Sequence, residues 1–115
     1  HFIIAAMVSL ASTVTQANET NTMINSHSEC DYWGDYALIM LDDYEVRIEI
    51  GDKNPIAGTK GMLEYDGTEE GSMGRIYYDQ ILGAIKAKAG RESIYKQGKE
   101  ICLKYPEGEF DPNNF

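Results

Sequence analysis

Cys30 and Cys102 are the two thiols of a chain of 115 residues. What they can do depends on the compartment in which the chain folds. In a reducing cytosol they stay as thiols or bind metal, whereas in an oxidising space an even count reads as a disulfide. A bond between them would enclose about 70 residues and remove chain entropy worth roughly 4 kcal/mol in the loop-closure model. That is a large share of the ~5–15 kcal/mol typical of a whole domain. Two separate buried thiols and a metal pair are the alternatives, although a zinc site needs more Cys and His than this chain offers.

The first residues point to the oxidising case. Phe2 to Ala11 is apolar and uncharged, and Ser12 to Ala17 is small and polar. Thr15 and Ala17 are small residues at the third and first positions before a cleavage point. This is the h-region and cleavage site of a secretory signal peptide, whose basic n-region is expected to precede His1. A membrane anchor is the competing reading, but the run is shorter than the ~20 residues a spanning helix needs. The expected organisation is a signal-peptide remnant at 1–17, a flexible leader at 18–28, a helical domain at 29–106 and a C-terminal tail at 107–115. Periplasmic or secreted placement follows, with no membrane partner after cleavage.

All the charged residues lie beyond Ala17, so the formal charge of −9 belongs wholly to the mature chain. Such a surface repels phosphate backbones and anionic lipid, which excludes nucleic acid and membrane surfaces as expected partners. A basic protein is the partner this charge favours, and plain solubility is the alternative explanation.

Periodicity supplies the fold. Ser26-His27-Ser28-Glu29 has capping-box spacing and marks a helix start. Cys30, Trp33, Ala37, Met40, Leu41, Tyr44 and Ile48 fall in an arc of about 100° at helical pitch, which makes a core-facing stripe. Gly51 is a natural stop. Tyr44 to Ile50 also alternates strictly and carries β-branched Val46, Ile48 and Ile50, so a half-buried strand is the rival there. Gly51 to Pro55 is turn chemistry. Ile56 to Asp66 is a short helix, or the second strand of a hairpin if the rival holds. Gly67 to Gly74 is an acidic, glycine-rich loop.

Arg75 to Ala89 reads as the most buried helix. Ile76, Tyr77, Ile81, Ala84, Ile85 and Lys88 share one side, and Tyr78, Leu82 and Ala89 widen the apolar face. Gly90 is its expected end. Glu92 to Tyr105 is the last helix, with Ile94, Tyr95, Gly98, Ile101, Cys102 and Tyr105 on its stripe, and Pro106 closes it. The tail beyond is polar and expected to fray. The fold class is mainly α: a small helical bundle of three to four helices closed by one disulfide. The alternative is an α+β fold with a hairpin around 44–65.

A Cys opening the first helix with Ala37 and Met40 further along, and a Cys closing the last helix after Tyr95 and Lys99, resembles a known group. It is similar to small two-cysteine exported helical proteins of Gram-negative bacteria. Some of these are periplasmic immunity proteins against secreted cell-wall hydrolases. The resemblance spans about Cys30 to Cys102. Where such proteins often place an Arg one turn after the Met, this chain has Asp43, with Arg47 a turn later, and no functional residue is carried over.

Chemistry-bearing groups are sparse. His1 falls in the expected signal peptide and His27 in the leader, so the domain has no Ser-His, Cys-His or His-metal arrangement. Paired acids such as Asp42 and Asp43 could in principle flank a sugar, but adjacent acids are common in a chain with 19 of them. The Glu64 to Glu70 stretch is acidic, yet aligning Gly67 with the sixth position of a calcium loop puts Met62 first and Met73 twelfth, where carboxylates are required. An irregular Ca²⁺ or small-molecule site is the alternative that this stretch leaves open. Gly71 to Arg75 offers amides and a cation but lacks phosphate-loop spacing. No cofactor and no catalytic residue is expected.

Tyrosine is abundant, with eight residues. Trp33, Tyr44, Tyr77, Tyr95 and Tyr105 sit where core is expected. Tyr32, Tyr36 and Tyr78 fall off the stripes. Tyr32 and Tyr36 with Asp31, Asp35, Glu69 and Glu70 make up the expected partner-binding surface, and packing of the off-stripe tyrosines against the middle segment is the alternative. The expectation is an exported protein-binding module, an immunity protein or inhibitor of a secreted enzyme, rather than an enzyme; a small-molecule or Ca²⁺-binding periplasmic protein and a structural protein are the alternatives.

Overall fold

A computed structural model describes residues 29–111. The signal-peptide and leader expectations, the capping-box serine at 26 and residues 112–115 lie outside the described residues. Helix α1 covers 29–49. It is followed by α2 (Pro55–Met62), a 3₁₀ turn (Tyr65–Gly67), α3 (Met73–Lys86) and α4 (Arg91–Leu103). No strand occurs among the described residues, so the hairpin alternative around 44–65 falls and the helical bundle stands.

The end of α1 shows why helix wins over strand. Asp43 and Arg47, one turn apart, pair at 2.8 Å, a spacing that supports a helix and has no use in a strand. Gly51 then takes a left-handed φ of 86°. Its N–H donates to the Ile48 carbonyl at 3.0 Å, and the Asp52 N–H donates to the Arg47 carbonyl at 2.8 Å. These are the two bonds of a Schellman stop. The alternation of Val46, Ile48 and Ile50 therefore has nothing to do with a sheet, and all three are exposed. Ile48, expected in the core, lines an open cleft beside Ile85, Lys88 and Ala89 instead. The cover runs out there because α3 ends at Lys86.

Asn54 and Pro55 start α2 together. The Asn54 side-chain oxygen accepts from the Ala57 N–H at 3.3 Å, and Pro55 fills the first-turn position that needs no donor. Helix α3 begins earlier than its apolar pattern because Ser72 caps it, accepting from the Arg75 N–H at 3.2 Å. It also ends differently from expectation. Lys88 takes the left-handed conformation, φ 62°, and Lys88 and Ala89 donate back to Ile85 and Ala84. Gly90 is thus the N-cap of α4 and not the stop of α3, and Lys88 is exposed instead of buried. The buried arc of α3 is Gly74, Tyr77, Tyr78, Ile81, Leu82 and Ile85. Ile76 lies on the other side of the helix and is exposed, while Tyr78 is buried.

The disulfide Cys30–Cys102 joins α1 to α4 with a Cα–Cα distance of 5.4 Å, within the range such a bond requires. Below it the two helices pack with almost nothing between them. A Cβ on Gly98 would stand 2.5 Å from the Trp33 carbonyl oxygen and 2.9 Å from the Ala37 Cβ. A Cβ on Gly34 would stand 2.6 Å from the Tyr95 ring. The Tyr77 hydroxyl of α3 donates to that same Trp33 carbonyl, so three helices meet at one backbone atom.

Trp33 is the hub of the core. It meets Tyr77 edge-on at 5.2 Å and Phe110 edge-on at 4.9 Å. Such pairs add about 0.5–1.5 kcal/mol each beyond the area they bury. Phe110 is 3 % exposed. The expectation that the chain frays after Pro106 is therefore corrected as far as Phe110: the Gly108 N–H donates to the Glu29 carboxylate at 3.1 Å, and the Phe110 ring plugs the core. A disulfide of this span fits a non-reducing compartment. No helix among the described residues is long and apolar enough to cross a membrane.

Candidate functional site

Tyrosines from α1, α3 and the 3₁₀ turn form a ladder across one side of the bundle. Tyr32 stacks on Tyr36 with ring centres 6.3 Å apart. Tyr36 stacks on Tyr78 at 6.5 Å, and their hydroxyls share a hydrogen bond of 3.3 Å. Tyr78 in turn meets Tyr65 at 6.4 Å. Helical spacing explains the first step, since residues four apart share a face. The later steps are tertiary, and sequence periodicity had no means to show them.

Tyr65 is fixed at its ring and at its tip. The Arg75 guanidinium lies 4.1 Å from the ring centre and the Lys60 ammonium 4.6 Å, cation–π contacts of the ordinary kind. The Tyr65 hydroxyl donates to Asp79. Arg75 also donates to the Thr68 hydroxyl at 2.8 Å and to the Tyr65 and Thr68 carbonyls at 3.2 and 2.9 Å. One side chain thereby fixes the loop that presents Glu69 and Glu70, both exposed.

The expected surface is only partly brought together. Tyr32 is 58 % exposed at the head of the ladder, and Tyr36 is half-buried behind it. Asp35 is exposed on α1. Asp31 turns the other way, accepting from the Tyr95 hydroxyl at 3.0 Å and pairing with Lys99 of α4 at 2.9 Å. It belongs to the α1–α4 seam. Tyr65 and Arg75 were missed as members of this face, and Tyr78, grouped with Tyr32 and Tyr36 in the sequence, is buried within it. The only hint in the sequence was Tyr78, which lay off the main stripe.

Four phenols, those of Tyr65, Tyr77, Tyr78 and Tyr95, are shifted in the same direction. Burial pushes Tyr77 up, and burial together with the Tyr36 hydrogen bond pushes Tyr78 up. The bond to Asp79 raises Tyr65, and burial with the bond to Asp31 raises Tyr95. These hydroxyls stay protonated at neutral pH and offer hydrogen bonds, not bases. An open cleft of ≈ 260 Å³ lies between the ends of α1 and α3. Leu41, Ile48, Ile85 and Ala89 give it apolar walls, and Glu45 and Lys88 are its charged members. Among the described residues no three His, Cys, Asp or Glu side chains gather as metal ligands.

No family model, curated protein or solved structure matches this chain.

Proposed function

We propose that this chain is a periplasmic or secreted protein-binding module, rather than an enzyme, whose partner is a basic protein. Its role is that of an immunity protein or inhibitor holding a secreted enzyme. The observation that carries the reading is the tyrosine ladder, with exposed Tyr32 at its head and the acidic 68–72 loop held at its foot by Arg75. Tyrosine offers large contact area with little side-chain entropy to lose, and aromatic anchors carry most interface energy. The surrounding acids of a chain with net charge −9 speed encounter with a cationic surface more than they deepen affinity.

The test uses the full, disulfide-bonded chain as bait in a periplasmic or secreted extract, followed by kinetics on the captured protein. Association is expected to slow steeply as salt rises, because exposed charges are screened within ~10 Å at about 0.1 M. Tyr32→Ala, Tyr36→Ala and the pair Glu69→Lys/Glu70→Lys are each expected to weaken binding. The reading fails if all three leave affinity and salt dependence unchanged in folded protein.

A further inference from the structure

Helix α1 has a second apolar line that the core does not use. Tyr32, Ile39 and Val46 recur at every seventh residue, and Ile50 lies one turn further. At 100° per residue the four fall within about 40° of one another. They are 58, 53, 55 and 74 % exposed, whereas Trp33, Ala37 and Met40 on the inward side are buried. Three residues after each member of the heptad series comes an acid: Asp35, Asp42 and Glu49. All three are exposed. They form a parallel line displaced by about 60° around the helix.

The opposite edge of the apolar line is closed by the body of the protein. Tyr36 packs on Tyr78, and Asp43 is held by Arg47 and by the Thr59 hydroxyl of α2 at 2.8 Å. The result is a shelf with an apolar floor, a wall on one side and an acidic lip on the other. From Tyr32 to Ile50 it runs for roughly 27 Å. Scattered exposed apolar residues need no explanation, but here four of them share one line along a helix face. The seven-residue repeat is the register in which one helix seats along another.

We propose that this shelf docks an α-helix of the basic partner. The apolar face of that helix covers Tyr32, Ile39, Val46 and Ile50, and its Lys or Arg side chains meet Asp35 and Glu49, which flank the Asp42 already paired with Arg91. This inference rests on the module reading above and names the element that the module recognises. Charge selects the occupant. A second copy of α1 brings its own acid line and a single cation, Arg47, which is already engaged by Asp43 and Asp52. The chain shows the chemistry once by itself: Arg91 reaches across from α4 and pairs with Asp42 at 2.7 Å, with both side chains 54 % exposed.

The probe is a synthetic amphipathic peptide of about 20 residues, long enough to span the shelf, with Leu at heptad spacing and Lys on the flanks. A counterpart carries Glu in place of Lys. Calorimetry with the disulfide-bonded full chain is expected to show binding of the Lys peptide and none of the Glu peptide. The double variant Ile39→Ser/Val46→Ser is expected to lose at least about tenfold in affinity. Its melting temperature is expected to hold within a few degrees, since both positions are exposed. Asp35→Lys/Glu49→Lys is expected to weaken binding more than Glu69→Lys/Glu70→Lys, which changes the net charge equally.

Equal losses from the two charge reversals mean generic attraction to an acidic protein and overturn the proposal. So does unchanged binding in the serine variant. A dimer in sedimentation that the serine variant dissociates would assign the shelf to a second copy and overturn it as well. Failure of the shelf is separable from failure of the module reading. A captured partner that still loses affinity to Tyr36→Ala but ignores Ile39→Ser/Val46→Ser removes the shelf alone.

Discussion

Gly98→Ala tests the architecture most sharply, because one added methyl group acts in two opposing ways. In the interior of a helix, Ala is favoured over Gly by about 1 kcal/mol. At Gly98 that gain meets a wall. The new Cβ would lie 2.5 Å from the Trp33 carbonyl oxygen and 2.9 Å from the Ala37 Cβ. The first of these is backbone and cannot rotate away. Overpacking of this kind costs about 1–3 kcal/mol. Any retreat of α1 from α4 also moves the carbonyl that accepts the Tyr77 hydroxyl, which puts roughly 1–2 kcal/mol of buried hydrogen bonding at risk. The balance is a net loss of about 1–4 kcal/mol. For a domain of this size a mid-range loss lowers the melting temperature by roughly 10–20 °C. Gly83 is the control. It sits inside α3, and a Cβ added there would meet nothing within 4 Å. Gly83→Ala is therefore expected to stabilise by about 1 kcal/mol and raise the melting temperature by roughly 4–8 °C. Both variants are read by thermal unfolding followed by circular dichroism. If Gly98→Ala raises the melting temperature as Gly83→Ala does, α1 and α4 do not meet at the Trp33 carbonyl and the close-packed seam is wrong.

Three further outcomes are expected. Cys30→Ser/Cys102→Ser opens a loop with a sequence separation of 72, and loses about 4 kcal/mol by the loop-closure relation, seen as a fall in melting temperature of roughly 15–30 °C; a fall of only a few degrees refutes the role given to the bond. Burial raises the Asp43 carboxyl, but hydrogen bonds from Arg47 and Thr59 outweigh it and hold the group below its ordinary 3.8. Its contribution is therefore complete above about pH 4 and is lost as pH falls through the lower folded value. Thr59→Val is expected to move the Asp43 titration, followed by carboxyl NMR, back toward 3.8; an unmoved titration contradicts the bond. Phe110→Ala is expected to cost about 3–5 kcal/mol, with the same drop in unfolding temperature when the chain is cut just before Phe110, and indifference to both changes means that the ring does not plug the core.

The sequence made the helices legible where one face of each is buried. Trp33, Ala37 and Met40 stood at helical spacing and are buried, and the two cysteines lay on stripes that do meet. The misreadings share one cause, which is that neighbours decide burial and periodicity does not name neighbours. Ile48 continued the α1 stripe, but α3 ends too soon to cover it. Ile76 and Tyr78 both qualified as apolar, and the position of Tyr36 settled which of them turned inward. Lys88 took the left-handed turn expected of Gly90, and the Lys88 and Ala89 N–H groups close α3 by donating back to Ile85 and Ala84. Phe110 looked like tail from its polar flanks, although an aromatic residue among Gly, Pro and acids was itself a signal. The tyrosine ladder was half visible: the Tyr32 and Tyr36 step is local, while the steps to Tyr78 and Tyr65 cross between elements distant in sequence. The heptad series Tyr32, Ile39 and Val46 was present to be read. The stronger inward stripe of the same helix hid it.

The disulfide also decides how the molecule carries mechanical load. Cys30 lies at the start of the described chain and Cys102 near the end of α4, with their Cα atoms 5.4 Å apart. Tension applied at the two chain ends passes from one sulfur to the other and never reaches the segment between them. That segment, extended, would add roughly 240–260 Å of contour length, and it stays locked while the bond is intact. Pulled as a single molecule, the oxidised chain should lengthen only by its ends, and the reduced chain should release the whole hidden length when the bundle gives way. Whatever tether, surface or partner holds this protein by its ends grips a covalent ring, and the packing of the helices is spared the strain.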